Sequence, residues 1–429
     1  MLTAAPSAEQ TTPIAELSAQ MTGRVVTPSD PDYDAVRQVF NLTADLHPAA
    51  VALPRDASDV IAAVDYARAN GLRVAPQATG HNGAAFGSLD DALLVDVREL
   101  QEISIDIAAR RVRVGAGVKW ERVVPQLSEH GLGALHGSSP DVGVTGYTLG
   151  GGLGWLARRH GLAADSVLRA RVVTANGDLI TADPDRHADL FWALRGGGGS
   201  FGVVTDLEFR LYPVSRVYAG AVTFGRERAA ETLTCYRRWS EQVPDEMSTA
   251  ILLGRDGTLT VKAMYAGDPA DGRRLLEPLF AVAGAARSDT MRVVDYARAA
   301  MGGTPARTFD QVRTLDDGLL SALVDEPGTT VEIRHWGGRI ARDTGAAAHR
   351  DAPFSVILDA APSARVTAAL GGSGIGSSFL NFLSDPSRVA TAFTPANWAA
   401  LCRVKAAYDP DAFFGAGLTI PPAAARVSA

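Results

Sequence analysis

Gly137 to Asp165 reads GSSPDVGVTGYTLGGGLGWLARRHGLAAD, and eight of these 29 residues are glycine. Glycine inside a helix or strand costs about 0.5–1 kcal/mol relative to alanine, so this density is poor for regular structure. It suits backbone laid against a ligand, because N–H groups in glycine turns can approach an anion closely. A second turn-rich segment, ATGHNGAAFG (78–87), lies upstream. It is delivered by a β-α-β opening: AAVAL (49–53) as a strand, Asp59 to Asn70 as a helix, and LRVAP (72–76) as the next strand. Val60, Ile61, Val64 and Ala67 recur at helical spacing, with Ser58 as N-cap and Gly71 as the stop. Loops after such strands commonly carry ligands, and two separated cradles suit a large anionic cofactor.

The chain has 429 residues, enough for two or three domains at roughly 150 residues each. Its 43 glycines exceed the usual share of about 7%, while 46% apolar and 21% charged residues are ordinary globular values. A net charge of −7 without a basic run argues against nucleic acid or an anionic membrane as partner. Cys235 and Cys402 stand far apart with no Cys/His cluster, which argues against a disulfide framework or any metal site and fits a reducing, cytoplasmic setting. No export signal or apolar run of 18 residues is visible. Residues 1–20, rich in Ala, Thr, Ser and Pro, read as a loose leader. The oligomeric state is left open.

Further strand signals are ALLVDV and ISIDIAARRVRVGAG, the latter folding back at AARR, followed by a helix from Trp120 to about His130. Asn176-Gly177 marks a hairpin in RVVTANGDLITA. A helix DLFWALR then runs into GGGGSFGVVTDLEFRLYPV. Gly197-x-Gly199-x-x-Gly202 matches a dinucleotide fingerprint, but that motif needs a strand before it and a helix after it. Here the order is reversed, so a Rossmann site is excluded. Beyond Pro213 the strands AGAVTF, TAILLGR, LTVKAMYA, TVEIRHW and FSVILDA alternate with Ala-rich helical stretches. The expected class is α+β, with an antiparallel sheet covered by helices over 214–390.

Four ordered segments resemble one family: TGHNG around His81, GSSPDVGVTGYTLGGGLG from Gly137, DLFWALRGGGGSFGVVT from Asp189, and the closing NFLSDP and VKAAYDP. The chain resembles the FAD-linked oxidases of the vanillyl-alcohol oxidase type, especially the berberine bridge enzyme-like branch. The resemblance implies a two-subdomain FAD-binding domain over 21–213, a substrate domain over 214–390, and a C-terminal segment, 391–429, returning to the FAD domain. It assigns FAD contacts to Thr79, Gly80, His81, Asn82 and Gly83 in the first loop. In the second it assigns Ser139, Pro140, Val142, Gly143, Thr145, Gly146, Tyr147, Gly150, Gly151, Gly152 and Gly154, and in the third Gly199, Gly202 and Val203. Relatives often join the flavin to a histidine, matched by His81, and to a cysteine whose position holds Ser139. One covalent histidyl link and no cysteinyl link are expected, because a serine hydroxyl lacks the acidity of a thiol. Val142 matches the position that gates oxygen, where a small side chain favours an oxidase. Tyr147 matches a ring-bearing residue beside the flavin.

The chain departs from the family at Phe379-Leu380-Asn381-Phe382, where many relatives read Tyr-x-Asn-Tyr, and at Ala412, Gly417 and Thr419, where asparagines are common. Without those phenols the proton acceptor is sought among His335, Glu332 and Asp359, with Tyr147 in reserve. Histidine ranks first because its pKa needs the smallest shift. If Val331, Ile333 and His335 share one face, Glu332 points away from His335. His349 is a further candidate. The implied activity is an FAD-dependent oxidase acting on a small organic or secondary-metabolite substrate with dioxygen, yielding hydrogen peroxide. The alternatives are a flavin-dependent oxygenase and a flavin-binding protein without turnover.

Overall fold

The computed structural model describes residues 14–424 apart from 43, 300, 343, 344 and 348. Of the expected leader, residues 1–13 lie outside the described residues. Ile14–Gln20 is instead a helix whose Leu17 is buried against the helix Ala57–Ala69, since Ile14 and Leu17 fall on one face.

The first sheet has four strands in the order Arg24–Val26, Ala50–Leu53, Ala92–Asp96, Arg73–Gln77, the last three parallel. The expected β-α-β unit is present, with one change at its helix. Asp56, not Ser58, is the N-cap, accepting from the N–H groups of Ser58 at 2.8 Å and Asp59 at 3.0 Å. A carboxylate so placed also complements the helix dipole. Asp59 is itself buried and receives the N–H groups of Thr22, Gly23 and Arg55, tying the N-terminal segment to this unit.

The second sheet has five antiparallel strands, in the order Ile103–Asp106, Arg111–Gly115, Val203–Arg210, Val167–Val173, Leu179–Ala182. The glycine run at 196–199 sits between the helix Ala188–Leu194 and the strand Val203–Arg210, the order opposite to a dinucleotide fingerprint. Helices Trp120–Ser128, Val144–Leu149 and Pro395–Tyr408 share this sheet's core.

The third sheet is antiparallel and has eight strands. Its order is Ala286–Asp289, Arg216–Gly225, Thr258–Tyr265, Met247–Leu253, Val331–His335, Phe354–Leu358, Thr308–Val312, and Arg292–Asp295 also pairs with Arg216–Gly225. Three of these strands escape the sequence pattern. Ala286–Asp289 is exposed throughout and so shows no apolar alternation. One face carries Ile251, Leu253, Val331, Ile333, Val356 and Leu358 beneath the helices Ala229–Ser240, Pro269–Ala283, Asp317–Val324 and Ala364–Ser373. The other face turns Ala219, Ala250 and Met264 toward Trp155, Leu156 and Tyr147 of the glycine-rich segment.

Candidate active site

Between the first two sheets is a cavity of about 750 Å³. Thr79 and His81 line it from the first loop, and Ser139 and Val142 from the second. The loops meet directly, because a Cβ on Gly143 would come within 3.1 Å of Thr79 Cγ2. Gly80 has φ +67° and, like Gly83, lies against Val39, so both are glycine for want of room. His81 is exposed to the cavity, its ring 5.1 Å from that of Phe40. Gln38, Phe40, Lys119 and Arg122 also line the space, and no periodicity or motif in the sequence marks them.

The glycines of the second and third loops divide into two kinds. A Cβ added at Gly146 would meet nothing within 4 Å, and one at Gly199 only Leu149 Cδ1 at 4.0 Å, so both turn bare backbone to open space. Gly150, Gly151, Gly152, Gly154 and Gly202 instead press on protein: Asn381, Phe379, Ala163 with Tyr147, the His136 carbonyl, and Val172 respectively. Their small size is needed for packing first. Asn381 serves this packing by donating to the Tyr147 carbonyl at 3.0 Å and accepting from Gly152 N–H at 2.8 Å. The asparagine of Phe379-Leu380-Asn381-Phe382 is therefore a brace for the glycine turn.

The C-terminal segment closes the same region. Lys405 and Asp409, both fully buried, are 2.5 Å apart. Asp409 accepts from Phe413 and Phe414 N–H, Lys405 donates to the Ser200 carbonyl, and Phe413 C=O accepts from Val74 of the first sheet. The VKAAYDP signature is thus a buried clamp joining the C-terminal segment to the third glycine loop and the first sheet. Gly417, at φ +85°, packs on Phe86 of the first loop.

An FAD binding domain family matches residues 48–183. Among curated proteins, the (R)-6-hydroxynicotine oxidase of Paenarthrobacter nicotinovorans is 29% identical across 93% of this chain and 97% of its own length. The glucooligosaccharide oxidase of Sarocladium strictum is 31% identical over 59% of this chain and 52% of its own. The solved 6-hydroxy-D-nicotine oxidase of Arthrobacter nicotinovorans superposes with a TM-score of 0.83 at 28% identity, covering 93% of this chain and 98% of that one. A Physcomitrella patens BBE-like protein gives 0.84 at 22% identity, covering 96% and 99%. The chain is an FAD-dependent oxidoreductase similar to these flavin-linked oxidases.

The cradle of this oxidase fits FAD by its own chemistry. The hydroxyls of Thr145, Tyr147 and Thr148, on the short helix Val144–Leu149, are buried without a protein partner. A buried hydroxyl left unpaired is costly, so the site is built for a further polar group beside them. Burial drives the Tyr147 phenol far above its ordinary pKa, which keeps its proton on and makes it a donor, not a base. Gly137, Gly152 and Gly154 close around its ring, and Trp120 meets it edge-on at 5.9 Å. His136, pushed below its ordinary pKa by burial, meets the Tyr296 ring at a tilt, 4.6 Å between centroids.

Across from the cradle the ranking of proton acceptors changes. Val331, Ile333 and His335 do share a face, and it is the helix-covered one, where His335 stacks on Phe354. His335 Nε2 accepts from Arg158 at 2.9 Å, and burial together with that guanidinium pushes its pKa down to about 2. Such an imidazole is a poor base near neutrality. Asp359 is a structural anchor at the end of its strand, accepting from Thr330 N–H at 2.9 Å and paired with Arg255. Burial raises its pKa, but these two partners outweigh it and hold the carboxyl below its ordinary value. His349 adopts φ +56° and offers its carbonyl to Gln311, a turn role. Glu332 alone of the ranked three shares the face that bears Arg334 and meets the cradle. It is 1% exposed, its Oε2 accepts from Thr304 N–H at 3.2 Å, and its Oε1 has no hydrogen-bond partner. Arg334 Nε lies 3.0 Å from that oxygen but off the hydrogen-bond axis, while its guanidinium covers the Trp155 ring at 4.8 Å.

Arg334 and Lys262 went unread in the sequence, since a charged residue within an alternating strand ordinarily points to solvent, and Arg158 lies on the short helix Ala157–His160, which the sequence pattern does not separate from the glycine run. Among the described residues no group of three His, Cys, Asp or Glu could hold a metal, and no helix is long and apolar enough to cross a membrane.

Proposed function

We propose that this oxidase holds FAD by one covalent bond to His81 and removes a hydride from a C–H bond of a small organic substrate, with dioxygen as final acceptor and hydrogen peroxide as product. The observation that carries the reading is the cavity shared by His81, Thr79, Ser139 and Val142 from two separate loops. When bound, FAD supplies the hydride acceptor and the route for electrons to dioxygen.

The chain's own groups supply the rest. Glu332 takes the substrate proton at Oε1, the carboxylate oxygen without a hydrogen-bond partner. Arg334 holds that carboxylate from one side and Thr304 N–H from the other, fixing its direction. The Tyr147 hydroxyl donates to whichever substrate or cofactor oxygen stands before it. Ser139 leaves no second covalent attachment, and Val142 leaves room for dioxygen that a leucine would partly fill. Relatives are named for oxidising a hydroxynicotine and oligosaccharides. With phenylalanines at 379 and 382, a secondary-metabolite scaffold suits this chain better than a sugar.

The test is anaerobic bleaching of the yellow protein against alcohols, amines, oligosaccharides and polycyclic metabolites, followed by air and a peroxide assay. Bleaching by one class and stoichiometric peroxide support the reading. A product heavier by one oxygen atom would replace it with oxygenation, and a failure of every class to bleach would leave a flavin-binding protein.

A further inference from the structure

The sheet face opposite the cradle carries more positive charge than its one carboxylate can neutralise. Ala250 stands in register with Lys262 on one side and Arg334 on the other, so the three form a row across neighbouring strands. Strands lie about 4.8 Å apart, which leaves the Lys262 and Arg334 backbones about 10 Å apart with only a methyl group between them. Side chains two residues apart share a face, so Glu332 stands in the next row on the same side. Glu332 and Arg334 are both buried, and Lys262 is half-buried.

The partners of these charges are few. Glu332 answers Arg334 at 3.0 Å. Lys262 has no ion pair or hydrogen bond among the described residues, and burial, reinforced by Arg334, pulls its pKa below the ordinary lysine value although Glu332 opposes the shift. The buried Tyr147 hydroxyl, which feels the Arg334 charge, also lacks a partner and keeps its proton. Counted as chemistry, two cations and one phenol donor face one carboxylate. A cation removed from water is destabilised unless an anion joins it, so the space is short of a negatively charged acceptor. An alcohol or sugar brings no charge and leaves the excess standing. A carboxylate brings two oxygens that only accept.

We propose that Lys262 and Arg334 form a subsite for a carboxylate of the substrate, held beside the Tyr147 hydroxyl. The proposal rests on the functional reading above only in taking the occupant to be the substrate. Trp155, stacked under Arg334, supplies an aromatic wall at that end, so an aromatic or polycyclic acid fits better than a short aliphatic one.

The experiment is a calorimetric titration of the flavin-loaded protein with benzoate, phenylacetate and salicylate and with the matched neutral alcohols, recording the visible flavin spectrum at each addition. It measures binding, so failure to find an oxidisable substrate leaves its result intact. At least one carboxylate is expected to bind about tenfold more tightly than its alcohol and to perturb the flavin bands. Lys262→Met and Arg334→Gln should each abolish that preference at unchanged flavin content, and Arg334→Lys should keep part of it. Equal affinities for acid and alcohol in the wild type would overturn the proposal without recourse to any variant. So would carboxylate binding that leaves the flavin spectrum untouched, or a preference that survives both charge-removing substitutions.

Discussion

On the glycine-rich side of the cleft, position is set by backbone: Gly151 against Phe379, Gly152 against Tyr147 and Gly154 against the His136 carbonyl leave no space for a Cβ. On the facing side it is set by side chains standing on an antiparallel sheet, Lys262, Glu332 and Arg334. The first construction tolerates almost no change, because each contact is with main chain or a packed side chain. The second can exchange one charge for another while the sheet beneath stays intact.

The largest expected effect lies on the rigid side. Asp409→Ala leaves the Lys405 ammonium buried without its partner, and breaking such a pair costs about 3–5 kcal/mol. A fall of that size in unfolding free energy, with loss of bound flavin, should appear in denaturant titrations. A near-normal midpoint would mean that the C-terminal clamp is dispensable.

Next in size is Glu332→Gln on the adaptable side, which should slow flavin reduction at least about a hundredfold while flavin content stays normal. Stopped-flow traces as fast as wild type would remove Glu332 from proton transfer. His335→Gln should leave reduction within a few-fold of wild type and act on stability instead. Its folded pKa, about 2, lies below the unfolded value near 6.5, so the unfolded chain binds the extra proton first. Stability from this group is complete above pH 6.5 and declines as pH falls from there toward 2. The variant should flatten that acid slope in melting curves, and an unchanged slope would show that His335 is not the buried neutral group described.

The two sides also differ in how far the amino-acid pattern reveals them. Glycine spacing and the segment around His81 revealed the cradle because glycine is demanded there by close approach, and few other structures demand it so densely. The strand Val331–His335 was visible and its two faces were separated correctly. Which face met the cradle was not, since alternation fixes only that Glu332 and His335 oppose each other. Ranking by ordinary pKa then favoured the histidine, whose partner, Arg158, is far away in sequence and lies on a short helix after the glycine run. The exposed strand Ala286–Asp289 and the half-buried Lys262 were missed for related reasons: one lacks an apolar face, the other carries a charge where solvent was expected.

The smallest effect belongs to the boundary between the two sides. Val142→Leu should slow reoxidation of the reduced protein in air by a few-fold while sparing its reduction by substrate. Equal slowing of both half-reactions would assign Val142 to packing alone.

The central claim is that the flavin ring lies in the cavity that His81 lines and is bonded to that residue. Acid precipitation followed by peptide mapping tests it directly. The yellow colour should stay with the precipitate, and the flavin mass should appear on the peptide that contains His81 and vanish from it in His81→Ala, which still binds FAD through the glycine turns. Recovery of all flavin in the supernatant of the wild-type protein, or its mass on any other peptide, would contradict the account.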